Sequence, residues 1–187
     1  MNVLTVIFSP REIPEVLESW KTIPYPQMWI KGYTELEAFN VWRRILPSLN
    51  FDGYIFCADD VIVNPTAYHL VKYGLNQFDV ASGYCKLFQE SEFINLSKTQ
   101  VVAKNRLSPD IEDYHFIKES DLTEGWNETT FCGFALTGLR HELALKAKFQ
   151  VNTFSIAQSD FEFSNSMINM GYKMYAHKSA YIHHLKS

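Results

Sequence analysis

Two adjacent carboxylates, Asp59 and Asp60, follow the apolar run Tyr54-Ile55-Phe56-Cys57-Ala58, and Asn64-Pro65 comes shortly after them. Burying paired carboxylates at the end of an apolar strand is costly unless a cation or a hydrogen-bonding ligand compensates. In open α/β sheets, ligands sit just beyond the carboxyl ends of the strands. The pattern therefore points to a divalent metal. Side chains alternate along a strand, so the two carboxylates are expected to diverge unless the backbone turns. Divergence would suit one carboxylate on a ribose hydroxyl and the next on a metal bridging a diphosphate. The plainer reading is a helix cap or turn, because Asp favours both.

Asp160 is the second candidate. Ser159-Asp160-Phe161-Glu162 has the form of a capping box, which puts Asp160 in the first turn of a helix. A helix N-terminus favours negative charge and keeps such a carboxylate ionised, so it can take a proton from a hydroxyl as general base. A merely favourable first-turn Asp is the alternative. The third candidate is the pair His183-His184, which follows a short apolar stretch near the end of the chain. Neutral imidazole is a good ligand for transition metals, although a solvated pair would look the same in sequence.

These residues need elements to hold them. Val3 to Phe8 reads as a buried first strand closed by Ser9-Pro10, followed by a helix over residues 12–22 and a short strand at Met28 to Ile30. Thr34-Glu35-Leu36-Glu37 is a capping box, and Leu36, Phe39, Trp42, Leu46 and Leu49 then recur at helical spacing. Tyr54 to Ala58 is the central strand, Asn64-Pro65 starts a helix, and Phe78 to Gly83 returns as a strand. Residues 88–128 break into polar, charge-mixed sequence and read as irregular cover over one sheet edge. Phe131 to Thr137 restores a strand, with a helix over residues 140–148. A helix from Asp160 to Met170 is closed by Gly171, and short strands are expected at Tyr172 to Ala176 and Ala180 to Ile182. Alternating strands and helices imply a mostly parallel central sheet with helices on both faces and a short antiparallel element near the C-terminus.

The chain has 187 residues, enough for one domain with a sizeable core, and 47% of them are hydrophobic. We read it as a single domain, 1–187. The net charge is −4 and the basic residues are scattered, which argues against a nucleic-acid partner. Cys57, Cys85 and Cys132 are widely spaced, with no CxxC pair, so neither a zinc ribbon nor a disulfide framework is expected. Asn95-Leu96-Ser97 and Asn127-Glu128-Thr129 match the N-glycosylation sequon. The N-terminus lacks a basic region and a long apolar run, so those matches read as accidental and the protein is expected to be cytoplasmic, with no transmembrane segment.

Together these segments resemble GT-A-fold glycosyltransferases, in particular the inverting kind that use nucleotide sugars. Phe56-Cys57-Ala58-Asp59-Asp60-Val61 resembles their DxD-type region, with Ala58 standing where many relatives carry the first Asp. Gly133-Phe134-Ala135-Leu136 resembles the acceptor-side strand. Ser159-Asp160-Phe161-Glu162 with Gly171-Tyr172-Lys173 is similar to the ED-type element, although Ser159 replaces its acidic partner. Ala180-Tyr181-Ile182-His183-His184 resembles the terminal strand whose His completes a metal site, and Val6 to Arg11 resembles the first strand and turn. The resemblance implies a Rossmann-related, GT-A-like fold and a nucleotide-sugar donor contacted by Phe8, Ser9, Arg11, Asp59 and Asp60. It implies Mn²⁺ or Mg²⁺ held by Asp60 with His183 or His184, and Asp160 as catalytic base. It also implies a glycan, glycoprotein or lipid-linked acceptor near Gly133, with a nucleotide-binding half, 1–85, and an acceptor-side half, 86–187. Trp126 could stack on the acceptor sugar or simply anchor its loop.

Two rival readings follow from the same residues. One is a nucleotide- or carbohydrate-binding protein on this fold that has lost turnover, which the residues at Ala58 and Ser159 leave open. The other is a nucleotidyltransferase making nucleotide sugars. Such enzymes carry a Gly-rich basic loop after the first strand, whereas Ser9-Pro10-Arg11-Glu12 has no Gly.

Overall fold

The computed structural model describes residues 1–9, 11–100, 115–147 and 159–185, the side chains of Ser9, Glu35 and Leu36 excepted. The chain runs β1 (Val3–Ser9), α1 (Pro14–Trp20), β2 (Gln27–Lys31), α2 (Glu35–Ile45), β3 (Gly53–Ala58), β4 (Val61–Ile62), α3 (Pro65–Gly74) and β5 (Val80–Tyr84). It continues through β6 (Phe93–Ser97), β7 (Phe116–Lys118), β8 (Trp126–Thr129), β9 (Phe131–Cys132) and β10 (Thr137–Arg140). Helices α4 (His141–Lys146) and α5 (Ser159–Asn169) precede β11 (Met174–Tyr181) and β12 (His183–His184).

A seven-stranded sheet, ordered β2-β1-β3-β10-β5-β11-β8, forms the centre. Strands β1, β2 and β3 run parallel, as do β5 and β11, while β10 and β8 run against their neighbours. Strand β3 is buried on both faces and therefore reads as a continuous apolar run. Tyr54 and Phe56 face a core layer with Phe39 and Trp42 of α2, Leu143 of α4 and Phe163 and Met167 of α5. Ile55 and Cys57 face the opposite layer, with Val16 and Trp20 of α1 and Tyr68 and Val71 of α3. Helices thus cover both faces, as the alternating pattern implies.

The caps of α2 and α3 and the close of α5 agree with the sequence. Thr34 accepts from the Glu37 N–H at 3.4 Å, while the Glu37 carboxylate accepts from the Thr34 N–H at 2.9 Å. Asn64 accepts from the Thr66 N–H with Pro65 at the first helical position. Gly171, at φ 80°, ends α5, and the Tyr172 and Gly171 N–H groups donate back to Met167 and Ile168 carbonyls.

Four expectations need correcting. Helix α5 already includes Ser159, so Ser159 does not cap it, and the residues before it lie outside those described. The region 88–128 is not simply irregular, because β6 is buried at Ile94 and Leu96 between β7 and β9 in a three-stranded antiparallel sheet. Such strands are too short to show a period of their own; their partners lie far away in sequence. The stretch from Phe131 divides into β9 and β10, separated by a turn at residues 133–136. The two strands expected after Gly171 are one, β11, whose register against β5 shifts between Ala176 and Tyr181.

Buried Cys57, Cys85 and Cys132 are free thiols. Asn95 and Asn127 of the two sequons are buried and hydrogen-bonded, Asn95 to the Cys85 N–H and Asn127 around the 123–125 turn. Among the described residues, no helix is long and apolar enough to cross a membrane.

Candidate functional site

The pairing of β1 with β3 sets Phe8 beside Ala58, so the segments leaving both strands emerge together at the carboxyl edge of the sheet. Asp59 and Asp60 form the turn between β3 and β4, and both are nearly buried, at 4% and 7% exposure. Because the backbone turns here, the two carboxylates converge where an uninterrupted strand would have sent them to opposite faces. They meet on Arg11. Its Nη2 donates to Asp59 Oδ1 at 2.6 Å and to Asp60 Oδ2 at 2.9 Å. The Arg11 Nε and backbone N–H donate to Asp59 Oδ2 at 3.2 and 2.8 Å.

The other side of Asp60 is closed by the end of the chain. Strand β12 pairs antiparallel with β4, matching His184 with Val61, and the Leu185 N–H donates to the Asp60 carbonyl at 2.8 Å. This ladder delivers His184 Nε2 to Asp60 Oδ1 at 3.1 Å. The neighbouring His183 is exposed, as alternation along a strand requires. His184 Nδ1 is buried and has no hydrogen-bond partner among the described residues. Burial alone would push the Asp60 carboxyl up. Hydrogen bonds and charge from His184 and Arg11 outweigh it and bring the pKa down to about 2. The same carboxylates push the Arg11 guanidinium further up, against its own partial burial.

Asp60 and His184 are the pair that could hold a cation. Neighbouring ligands around an octahedral ion with bonds of about 2.1 Å lie about 3 Å apart, which matches the 3.1 Å between Asp60 Oδ1 and His184 Nε2. Among the described residues no three His, Cys, Asp or Glu side chains converge as a metal cage. A cation here would draw its other ligands from substrate and water, as Mg²⁺ commonly does.

Asp160 lies in the first turn of α5, and its Oδ1 accepts from the Phe161 N–H at 2.9 Å. The turn between β9 and β10 packs between α5 and β3. Cys57 Sγ donates to the Ala135 carbonyl at 3.0 Å, and Phe134 packs between Phe56 and Phe163, 5.6 and 5.2 Å away. Phe163 stands three residues beyond Asp160 in α5, so this helix packs on the turn that begins at Gly133. A Cβ on Gly133 would meet Asn95 Nδ2 at 2.6 Å.

Phe8 is a core residue, 4% exposed, its ring 4.1 Å from Phe39. The Ser9 side chain lies outside the described residues. Trp126 is on the outermost strand, with β10, β5 and β11 between it and β3. Its indole fills the space beside Gly74 of α3 and meets Phe78 and His177 at 5.1 and 4.9 Å. The structure therefore gathers Arg11, Asp59, Asp60 and His184, sets Gly133 at the start of the turn on which α5 packs, and uses Phe8 and Trp126 in packing. What sequence reading missed is Arg11 as partner of both carboxylates. The only signal was a lone basic residue just after the first strand.

No protein-family model matches the sequence, and no curated protein matches it. Solved structures do match. The fold is similar to that of A197 from STIV, with a TM-score of 0.64, 16% identity and coverage of 94% of this chain and 81% of that one. It is similar to CMP:2-keto-3-deoxy-manno-octonic acid synthetase complexed with CTP, with a TM-score of 0.55, 10% identity and coverage of 98% and 90%. It is also similar to GalNAc-T7 with UDP, GalNAc and Mn²⁺, with a TM-score of 0.60 and 8% identity. There 98% of this chain covers 44% of that protein. Likeness at such identities establishes the fold, which is GT-A-like.

Proposed function

We propose that this chain is a glycosyltransferase that moves a sugar from a nucleotide-sugar donor to an acceptor hydroxyl with inversion. The observation that carries the reading is Asp60, nearly buried at the carboxyl end of β3 and held between Arg11 and His184. That edge of an α/β sheet is where ligands bind, and a buried carboxylate flanked by a guanidinium and an imidazole is suited to a diphosphate. The fold likeness supports a nucleotide-dependent transferase in general terms.

In this reading Asp60 and His184 hold a divalent ion, Mn²⁺ or Mg²⁺. Such an ion, when bound, neutralises charge on the departing nucleoside diphosphate. Arg11 presents a planar guanidinium, which matches phosphate oxygens better than an ammonium does. Asp59 accepts three hydrogen bonds from Arg11 and so positions the loop after β1. Asp160 takes the proton from the acceptor hydroxyl. That oxygen bonds to the anomeric carbon as the bond to the diphosphate oxygen breaks on the opposite face, which inverts the centre in one displacement. An ionised Asp at a helix N-terminus is suited to that role.

The test is thermal unfolding with UDP-, GDP- and dTDP-linked sugars, with and without Mn²⁺, for wild type and Asp60→Ala, followed by turnover in Asp160→Asn. The reading expects stabilisation by one nucleotide class that requires both Mn²⁺ and Asp60. It also expects a turnover loss of about 10²-fold or more in Asp160→Asn. Stabilisation without any transfer or hydrolysis would leave a binding protein. Release of pyrophosphate from a nucleoside triphosphate would identify a nucleotidyltransferase.

A further inference from the structure

We infer that Tyr84 is a positioning residue for the Asp60–His184 pair: it holds the bulge in β11 that sets His184 against Asp60. The inference rests on the donor-site reading above for its purpose, while the placement itself needs no ligand. Pairing of β11 with β5 matches Ala176 with Ser82 and then Tyr181 with Tyr84. Five residues of β11 thus advance against two of β5, and three are extra. In straight pairing Lys178 would stand opposite Tyr84, and Tyr181 would arrive where His184 now faces Val61. An odd offset also exchanges the two faces of the strand. Before the bulge, Met174 and Ala176 face the layer with α2 and α5. After it, Tyr181 packs on that layer, while Ala180 and Ile182 face the layer with α1 and α3. His184 follows Ile182 at the next alternate position.

The bulge is pinned from several sides. Tyr84 is fully buried, and its hydroxyl donates to the Lys178 carbonyl at 2.7 Å, sharing its proton with Glu119 Oε1 at 2.9 Å. The Lys178 N–H donates to the Gly125 carbonyl at 2.9 Å, and the Ser179 N–H to His177 Nδ1 at 3.1 Å. The Ala180 carbonyl comes so close to Gly83 that a Cβ there would meet it at 2.6 Å. Past the bulge, the Ile182 N–H donates to the Tyr84 carbonyl at 2.9 Å. Tyr84 therefore grips the strand twice, by its hydroxyl inside the bulge and by its carbonyl two residues before His184. Bulges commonly re-aim a side chain beside a site, and here the side chain delivered is the imidazole on Asp60. The backbone grip is open to any residue at position 84. The hydroxyl grip requires tyrosine.

The experiment reads the imidazoles of metal-free protein by long-range ¹H–¹⁵N magnetic resonance, with His184→Ala to assign the His184 signal. Mn²⁺ binding without nucleotide is then followed by electron paramagnetic resonance. In wild type the His184 Nε2 signal should stand apart from that of exposed His183. In Tyr84→Phe it should move to the His183 position, and Mn²⁺ should bind about tenfold more weakly, as loss of a group that orients a metal ligand commonly costs. In a His184→Ala background, Tyr84→Phe should make no further difference to Mn²⁺, which a general loss of packing would not reproduce. If Tyr84→Phe does not fold, Gly83→Ala serves, since it presses on the bulge through the Ala180 carbonyl and leaves the Tyr84 hydroxyl in place. An unmoved His184 signal in the folded variant overturns the inference, as does a loss of Mn²⁺ affinity that is equal with and without His184. The donor-site reading fails separately, as a wild type whose His184 signal stands apart but which binds no Mn²⁺.

Discussion

Asp60 is nearly buried, yet its pKa is brought down to about 2, because His184 and Arg11 outweigh the cost of burial. A carboxylate whose pKa is lower folded than unfolded contributes stability above its unfolded value, and that contribution is lost as pH falls through the folded one. For Asp60 the window runs from its ordinary 3.8 down to about 2. The metal-free protein should lose about 2 kcal/mol through this group across that interval. Asp60→Asn should lack this limb, so denaturant titrations of the two proteins should differ near neutrality and converge at pH 2. A constant difference at every pH would mean that the pair contributes by shape and not by charge. This residue was legible because an ionisable pair ending an apolar strand conflicts with its surroundings, and the conflict shows in a linear sequence. Arg11 was less legible, since one basic residue in a loop is ordinary until register places it beside both carboxylates.

The turn between β9 and β10 links the carboxylate pair to α5, and Gly133 at its start is constrained by contact. An alanine there would place its Cβ 2.6 Å from Asn95 Nδ2. Asn95 cannot simply withdraw, because its Oδ1 accepts the Cys85 N–H and its backbone carbonyl accepts the Gly133 N–H. Gly133→Ala should cost about 1–3 kcal/mol by overpacking, read as a lower urea midpoint at unchanged slope. A change within about 0.5 kcal/mol, the range of a neutral surface substitution, would show that the turn yields freely. Elements with local signatures were readable, the capping box at Thr34 and the Asn64-Pro65 start among them, because a helix end is specified within a few residues. Strands β6, β7 and β8 were not. Each is held by partners distant in sequence, so the information that makes it a strand lies elsewhere in the chain.

At the scale of the molecule, division into a nucleotide-binding half and an acceptor-side half at residue 85 meets the sheet order. Strand β10, from the second half, lies between β3 and β5 of the first and hydrogen-bonds to both. Strand β5 in turn pairs with β11, and β12 closes on β4. Parallel pairing of β1, β2 and β3 could be anticipated from the strand–helix alternation, but insertion of a later strand between earlier ones is a long-range fact that no local pattern encodes. Removing residues 86–187 would leave β3 and β5 without the strand between them and strip Phe134 and Phe163 from the α2 face. Fragment 1–85 should therefore fail to fold, and the intact chain should unfold as one cooperative unit, as single domains commonly do. The tryptophans allow a direct reading, since Trp20, Trp29 and Trp42 lie in the first half and Trp126 in the second. A variant with the first three replaced by Phe should show Trp126 fluorescence and far-ultraviolet dichroism falling together along one urea curve. Two separated midpoints, or a folded 1–85 fragment, would mean that the halves hold together independently and that β10 is an added strand and not the keystone of the sheet.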